Sequence, residues 1–299
     1  MKNLTLKQFR YFEALAQHRH FGHAAEACAI SQPALSMQIK ELEQTLGTPV
    51  FERSARQIRL TAFGEDFAAR VRDILRAVDE LGDLARVAGQ GLSGRLRLGV
   101  IPTIAPYLLP TMIGHLTYTY PDLDLHVRET LTPKLLQELS EGRLDAAVVA
   151  LPISEPAFEE APLFTEEFVL VRPREDAAKP VPSATRLREM RLLLLEEGHC
   201  FRDQALAFCN LRSGLPREGL DGSSLSTLVQ MVGAGIGVTL IPDMAVDVET
   251  SAAKVAVSRF GRPCPTRQVG MIWRKTHPLA SDLRQVSEVV QQAALSRMK

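Results

Sequence analysis

Apolar residues at Leu6, Phe9, Phe12, Leu15 and Ala16 form a helical stripe along residues 4–17. An alanine-rich stretch, 22–29, fits a shorter helix. In the run that follows, Ser31 suits a helix cap and Pro33 suits a first turn, while Leu35, Ile39, Leu42 and Leu46 step by four, three and four. Gln32, Ser36 and Gln38 are left off the apolar stripe. Two short helices joined tightly, the second with a polar outer face, make a helix-turn-helix, which presents amides and hydroxyls to base edges in a major groove. Residues 49–60 then pattern as a short β-hairpin or wing. Its arginines Arg53, Arg56 and Arg59 are spaced by three and suit phosphates or the minor groove.

Residues 61–88 contain no proline, and Phe67, Val71, Ile74, Val78, Leu81 and Ala85 step 4-3-4-3-4. This is an a/d seam of about three heptads on a helix of roughly 40 Å. A single apolar seam on so long a helix asks for a second copy of itself; packing on the chain's own C-terminal part is the competing reading. Glycines 89, 91 and 94 mark a linker. Beyond it, strands at 96–101, 123–128, 146–150, 168–171, 192–195, 237–241 and 268–273 alternate with helices at 105–119, 133–141, 201–212, 225–234 and 279–295. That alternation predicts parallel sheets covered by helices. With roughly 205 residues and a return at 268–295, two α/β lobes are expected, crossed twice by the chain, with a ligand cleft between them.

Composition limits the function. The chain has 299 residues and balanced charge, 35 basic against 35 acidic, so no global basic field marks a nucleic-acid binder. The local excess is at the start, where residues 1–60 carry 8 Lys/Arg against 5 Asp/Glu. No apolar run of spanning length and no charged-then-apolar leader at Met1 occur, so a cytoplasmic protein is expected. Four cysteines do not make a disulfide scaffold, and no cysteine–histidine spacing implies a metal; no cofactor motif is seen. Cys200 follows the apolar run Leu192 to Leu195 and an acid-acid-glycine turn, next to a helix N-terminus that favours thiolate. Cys209 lies nine positions on. If the interval is helical the separation is roughly 13 Å, beyond the ~7 Å that a disulfide tolerates. Oxidative pairing would therefore have to break the helix. Two buried, inert cysteines remain the alternative. Cys28, among alanines, reads as a small core residue, and nothing beside Cys264 argues for reactivity.

The N-terminal 64 residues resemble a LysR-type transcriptional regulator. The matching run is Ala24-Ala25-Glu26, Ser31-Gln32-Pro33-Ala34-Leu35-Ser36, Gln38-Ile39-Lys40, Leu42-Glu43, Leu46-Gly47 and Phe51-Glu52-Arg53. Residues 233–242, from Gly233 to Pro242, resemble the effector domain of the same family. The resemblance implies an all-α winged helix-turn-helix domain at 1–61 and a dimerisation linker helix and hinge at 62–90. It also implies an α/β two-lobed, periplasmic-binding-protein-like regulatory domain at 91–299, with lobe I about 91–163 and 268–299 and lobe II about 164–267. DNA contacts are expected from Ser31, Gln32, Pro33, Ser36, Gln38, Arg53 and Arg56.

Peroxide-sensing members of the family are similar at His18-Arg19-His20-Phe21, at Ile101-Pro102-Thr103 with Pro106-Tyr107-Leu108-Leu109-Pro110, and above all around the cysteines. There the match is Gly198-His199-Cys200, Arg202-Asp203-Gln204-Ala205 and Phe208-Cys209. By that resemblance Cys200 reacts with hydrogen peroxide and Cys209 resolves it to a disulfide. Thr103, Thr132, His199, Asp203 and Arg267 form the peroxide pocket, with Arg267 placed to stabilise the Cys200 thiolate. Implied partners are double-stranded promoter DNA, peroxide and a second copy through the linker helix, building to a homotetramer, with RNA polymerase a further partner. No cofactor, no membrane and no enzymatic turnover are expected. Two other functions fit the residues less fully: a regulator responding to a small organic effector between the lobes, and a thiol peroxidase.

Overall fold

The computed structural model describes residues 4–53, 58–87, 92–209, 221–262 and 264–297. The chain divides into two compact units, Met1–Ala85 and Arg86–Lys299.

The first unit packs α1 (Leu6–His18), α2 (Phe21–Ala27) and α3 (Gln32–Leu46) around Phe9, Phe12, Leu15, Leu35, Ile39 and Leu42. Thr5 and Gln8 cap α1 reciprocally, side chain to backbone N–H in each direction. Ser31 caps α3 by accepting from the Ala34 N–H. Glu43 near the end of α3 accepts from the N–H groups of Val50 and Phe51, tying it to the strand pair β1 (Phe51–Arg53) and β2 (Ile58–Leu60). The wing tip, with Arg56, lies outside the described residues. The long helix α4 (Ala62–Val87) starts against this hairpin. A Cβ at Gly64 would stand 2.1 Å from the Val50 carbonyl oxygen, so only glycine fits there.

The expected α4 seam divides in two. Val71 is fully buried, and Phe67 and Leu75 pack on the unit's own core. Ile74 and Leu81 stand 42% and 63% exposed. The N-terminal half of the seam thus serves its own domain, and Ile74 and Leu81 beyond it are uncovered within the first unit among the described residues.

The second unit contains β3 (Gly94–Val100), α5 (Ala105–Thr119), β4 (Leu123–Glu129), α6 (Thr132–Ser140), β5 (Ala146–Leu151) and β6 (Phe158–Pro173). There follow α7 (Ala184–Leu187), β7 (Leu192–Leu195), α8 (Cys200–Phe208), β8 (Asp221–Gly222), α9 (Leu225–Gly233) and β9 (Val238–Pro242). The chain closes with α10 (Val246–Glu249), β10 (Val255–Arg259), β11 (Thr266–Arg274) and α11 (Ala280–Arg297). The strand order is β4-β3-β5-β11-β6-β9-β7-β8, with β10 paired to β6.

The sheet is mixed, which corrects the expectation of parallel sheets. β3 pairs parallel with β4 and β5, and β7 with β8 and β9, but β11 runs antiparallel to β5 and β6, and β6 antiparallel to β9 and β10. The antiparallel pairs arise where the chain crosses between lobes. β6 spans 16 residues, far beyond the expected 168–171, because its first half joins β11 and its second half joins β9 and β10. The short strands β8 and β10 were not expected. Two separate cores result. One gathers Leu96, Leu135, Val148, Trp273 and Val290; the other gathers Phe168, Leu193, Phe201, Val229 and Ile241. They are called lobe I and lobe II below.

Candidate functional site: a helix bracketed by cysteines

β7 is buried throughout and ends at Leu195. Gly198 then turns the chain at φ +94°, a backbone conformation that L side chains rarely adopt, with Leu131 Cδ1 only 3.0 Å from where its Cβ would be. His199 is the N-cap, and Cys200 is the first residue of α8 itself, one position earlier than the expected helix start. The expected extension to 212 runs into residues outside the described ones. Arg202 donates to the Leu195 carbonyl at 2.6 Å and pairs with Asp221 at 3.1 Å, so its charge secures the β7–α8 turn.

Cys200 is half-buried and packs against the lobe I core. It faces a cleft of about 520 Å³ lined also by Thr132, Gly198, Asp203 and Glu155. Thr132 is the first residue of α6. Two helix N-termini therefore border one cleft, and their dipoles present positive potential to it. The Thr132 hydroxyl is buried without a hydrogen-bond partner among the described residues. So is the Gln204 carbonyl oxygen, one helical turn after Cys200. Gln204 was not among the expected site residues, although its i+4 spacing from Cys200 would have marked it.

Thr103 and His199 line an adjoining cleft of about 360 Å³. The two clefts meet along the same segments, Leu131 with Thr132 and His199 with Cys200. His199 is only 8% exposed, and burial pushes its pKa below the usual value against the opposing pull of Glu196. It is therefore neutral at pH 7, with one nitrogen to donate and one to accept. Across this cleft Tyr107, from α5, sits in the lobe II core and donates to Glu249 at 2.6 Å. Ser226 occupies the other Glu249 oxygen at 2.5 Å. Burial and the Glu249 carboxylate push the Tyr107 phenol up.

Arg267 is held by partners that its sequence neighbours do not indicate. It is 2% exposed, and its Nε and Nη2 donate to Glu166 at 2.7 and 2.6 Å. Its Nη1 and Nη2 donate to the Thr103 hydroxyl and carbonyl at 2.8 and 2.9 Å. Its charge is matched by a buried carboxylate, and its guanidinium lies 5.5 Å from the ring centroid of Phe201, the neighbour of Cys200. Glu166 could not be found from spacing, because it meets Arg267 only through the β6–β11 register.

Cys209 caps the far end of α8, is 0% exposed and belongs to the lobe II core. All four cysteines are free thiols. Burial raises the Cys28 pKa, and a hydrogen bond to Glu167 raises that of Cys264; both changes disfavour thiolate.

In the first unit, Gln32 and Pro33 are exposed at the start of α3 and Ser36 is half-buried. The Ser31 hydroxyl is occupied by its capping bond, and Gln38 donates to Glu41 at 3.0 Å. Those two side chains are less available for bases than their spacing implied. Met37, not singled out by its sequence, stands 65% exposed on the same helix. Arg53 lies in β1. Among the described residues no cluster of ligands could hold a metal ion.

This arrangement defines a helix-turn-helix unit followed by a two-lobed domain with a thiol at a helix N-terminus. Residues 6–65 match the bacterial regulatory helix-turn-helix protein, lysR family, and residues 89–295 match the LysR substrate binding domain. The chain belongs to the LysR family of transcriptional regulators. It is 42% identical over 293 residues, 97% of this chain and 94% of the other, to a probable hydrogen peroxide-inducible genes activator of Streptomyces viridosporus. It is similar to a full-length OxyR variant from Pseudomonas aeruginosa, at 37% identity and a TM-score of 0.76, covering 97% of this chain and 95% of that one. It is also similar to a hydrogen-peroxide-bound cysteine variant of Corynebacterium glutamicum OxyR, at 34% identity and a TM-score of 0.67, covering 99% and 94%.

Proposed function

We propose that the chain is a hydrogen-peroxide-sensing, DNA-binding transcriptional regulator that switches conformation through a Cys200–Cys209 disulfide. The observation that carries the reading is Cys200 at the meeting of two helix N-termini, in a cleft with an unpartnered Thr132 hydroxyl, while Cys209 is sealed away. The Cys200 thiolate attacks one peroxide oxygen: the S–O bond forms, the O–O bond breaks, and hydroxide leaves and is protonated to water. Sulfur loses two electrons and becomes a sulfenic acid. The Cys209 thiol then attacks that sulfur, forming the S–S bond and expelling water with the thiol proton. One peroxide is consumed per disulfide, and the disulfide serves as the signal to DNA rather than as a step in turnover.

Thr103, Thr132, His199 and Asp203 orient peroxide by hydrogen bonds, and Arg267 acts from behind Thr103. Residues 1–61 read promoter DNA through α3 and the wing, and residues 62–90 dimerise. Residues 91–299 sense, with lobe I about 91–163 and 268–299 and lobe II about 164–267. Pairs of dimers form a tetramer on the operator, where RNA polymerase is the natural downstream partner. None of the described helices is long and apolar enough to cross a membrane. A regulator of promoter DNA works in the cytoplasm.

Titrating the reduced protein with peroxide while following thiol loss, DNA footprint and turnover tests the whole reading. Footprint change with loss of two thiols per chain and no turnover is expected. Continuous peroxide consumption once a dithiol reductant is supplied would make it a peroxidase. A footprint that answers to small organic acids and ignores peroxide would place the effector in the cleft between Tyr107, His199 and Glu249.

A further inference from the structure

The Glu166–Arg267 pair stands where β6 and β11 carry the chain between the lobes, the two residues directly opposite in the ladder. Both side chains are sealed, at 1% and 0% exposure. Glu166 Oε1 accepts from Arg267 Nε and Nη2, and Oε2 accepts from the Met244 N–H at 3.3 Å in lobe II. Two further donors of the fork, on Nη1 and Nη2, reach Thr103 in lobe I. A guanidinium has donors only. The Thr103 oxygen must therefore accept from Arg267, and its single hydrogen has to point elsewhere. Thr103 lines the cleft shared with His199.

We propose that Glu166 is a positioning residue for peroxide sensing: by holding the Arg267 fork against Thr103, it fixes the Thr103 hydroxyl as a donor into the cleft. The proposal rests on the peroxide-sensing reading. When Cys200 sulfur takes one peroxide oxygen, the other departs as hydroxide, and a pre-aimed donor stabilises that growing charge without reorganising. Without the carboxylate, a buried guanidinium loses its counter-charge and its two-point anchor. Thr103 is then free to turn its hydrogen away.

The test uses the reduced full-length protein in stopped flow, comparing oxidation of Cys200 by hydrogen peroxide with its alkylation by iodoacetamide. Alkylation needs the thiolate but expels iodide, which gains little from a hydroxyl donor. Glu166→Gln is expected to slow the peroxide reaction by roughly tenfold or more and to leave alkylation within about twofold of wild type. Glu166→Gln combined with Thr103→Val should be no slower than Thr103→Val alone, since one acts through the other. Peroxide rates equal to wild type in Glu166→Gln, an equal slowing with both reagents, or multiplied losses in the double variant would each overturn the proposal. Should Glu166→Gln fail to fold by circular dichroism, Glu166→Asp keeps the charge with a shorter reach and is judged by the same criteria. A wild-type Cys200 that meets peroxide no faster than free cysteine would instead sink the sensing reading itself.

Discussion

Cys200 and Cys209 bracket one nine-residue helix, yet Cys200 packs against the core of lobe I and Cys209 is buried in the core of lobe II. At about 1.5 Å of rise per residue the helix holds them roughly 13 Å apart. A bond between them needs α8 to unwind and Cys209 to leave the lobe II core, where Arg188 holds its carbonyl. The chemistry at Cys200 is thus coupled to the packing of both lobes.

The order of oxidation follows from that placement. Cys200→Ser should abolish the response. Cys209→Ser should still consume peroxide at Cys200 and stop at sulfenic acid, without the conformational change. Unwinding α8 forfeits several hydrogen bonds of about 1 kcal/mol each together with apolar contacts, so the disulfide should be readily reduced by cellular thiols. Mass spectrometry after brief exposure reads the order. Wild-type oxidation of Cys209 in the Cys200→Ser protein would refute it.

His199 supplies a pH dependence. Its folded pKa lies below the unfolded value near 6.5 because burial disfavours the imidazolium. The unfolded chain then binds the extra proton first, and stability falls as pH drops below about 6.5 until the folded pKa is passed. His199→Asn should remove that part of the slope in urea melts between pH 7 and pH 5. A variant with the same slope as wild type would show that His199 contributes none of it.

The lobe I core has a charged anchor with an acid limit. Asp145, with no exposed side chain, accepts three bonds from Arg97, one of them from its backbone N–H, and one from His277, while the His277 Nδ1 accepts from the Leu279 N–H. Burial alone would raise its pKa, but the His277 and Arg97 bonds outweigh that and hold it at about 2. With the folded pKa below the unfolded one, about 2 kcal/mol of stability is present above pH 4 and is lost as pH falls toward 2. Asp145→Asn should be less stable at neutral pH and should show a shallower acid slope by chemical denaturation. An unchanged slope would place the acid sensitivity elsewhere.

Much of this was legible in the chain because it is local. The helical stripes of α1 and α3, the wing and the apolar run Leu192 to Leu195 depend on neighbours within a few residues, and they recur in the structure within a residue or two. Cys200 and His199 were found because a motif names them. Long-range pairing was not legible. β6 reads as a short strand since residues 158–167 alternate poorly, charged positions such as Glu159, Glu160 and Glu166 being satisfied by β11, Ile153, Arg284 and Arg267. For the same reason Arg267 looked like a free cation in sequence. Its partner lies 101 positions away and is defined by register alone. The α4 seam misled in the opposite sense, because one stripe serves two different neighbours along its length.

The exposed half of that stripe predicts an assembly surface. Ile74 and Leu81 are large, apolar and uncovered on one helix. Burial of such side chains is worth roughly 1.5–3 kcal/mol each, so a charge within the patch should break a seam built on it. Sedimentation of Ile74→Asp should show a smaller species than wild type. Wild-type mass would refute the seam, whereas Val71→Asp should instead unfold the first unit, since Val71 is already core.

On α3 the exposed row sorts the DNA contacts. Gln32 is free of internal bonds in the described structure and can offer its amide to an adenine edge, while Met37 can meet a thymine methyl. Ser31 and Gln38 already spend donors or acceptors on Ala34 and Glu41. Gln32→Ala should therefore cost about 1–3 kcal/mol and relax specificity at one base pair. Met37→Ala should weaken preference for thymine at one position without adding tolerance elsewhere. Gln38→Ala should change little, because its amide is held by a neighbour one turn away. Arg53→Ala on the wing should weaken binding to all sequences alike and flatten the salt dependence by about one ion, the signature of a phosphate contact. Binding measured on a panel of single-base operator variants at two salt concentrations separates these outcomes. Loss of specificity in Gln38→Ala with none in Gln32→Ala would reverse the assignment of the reading face.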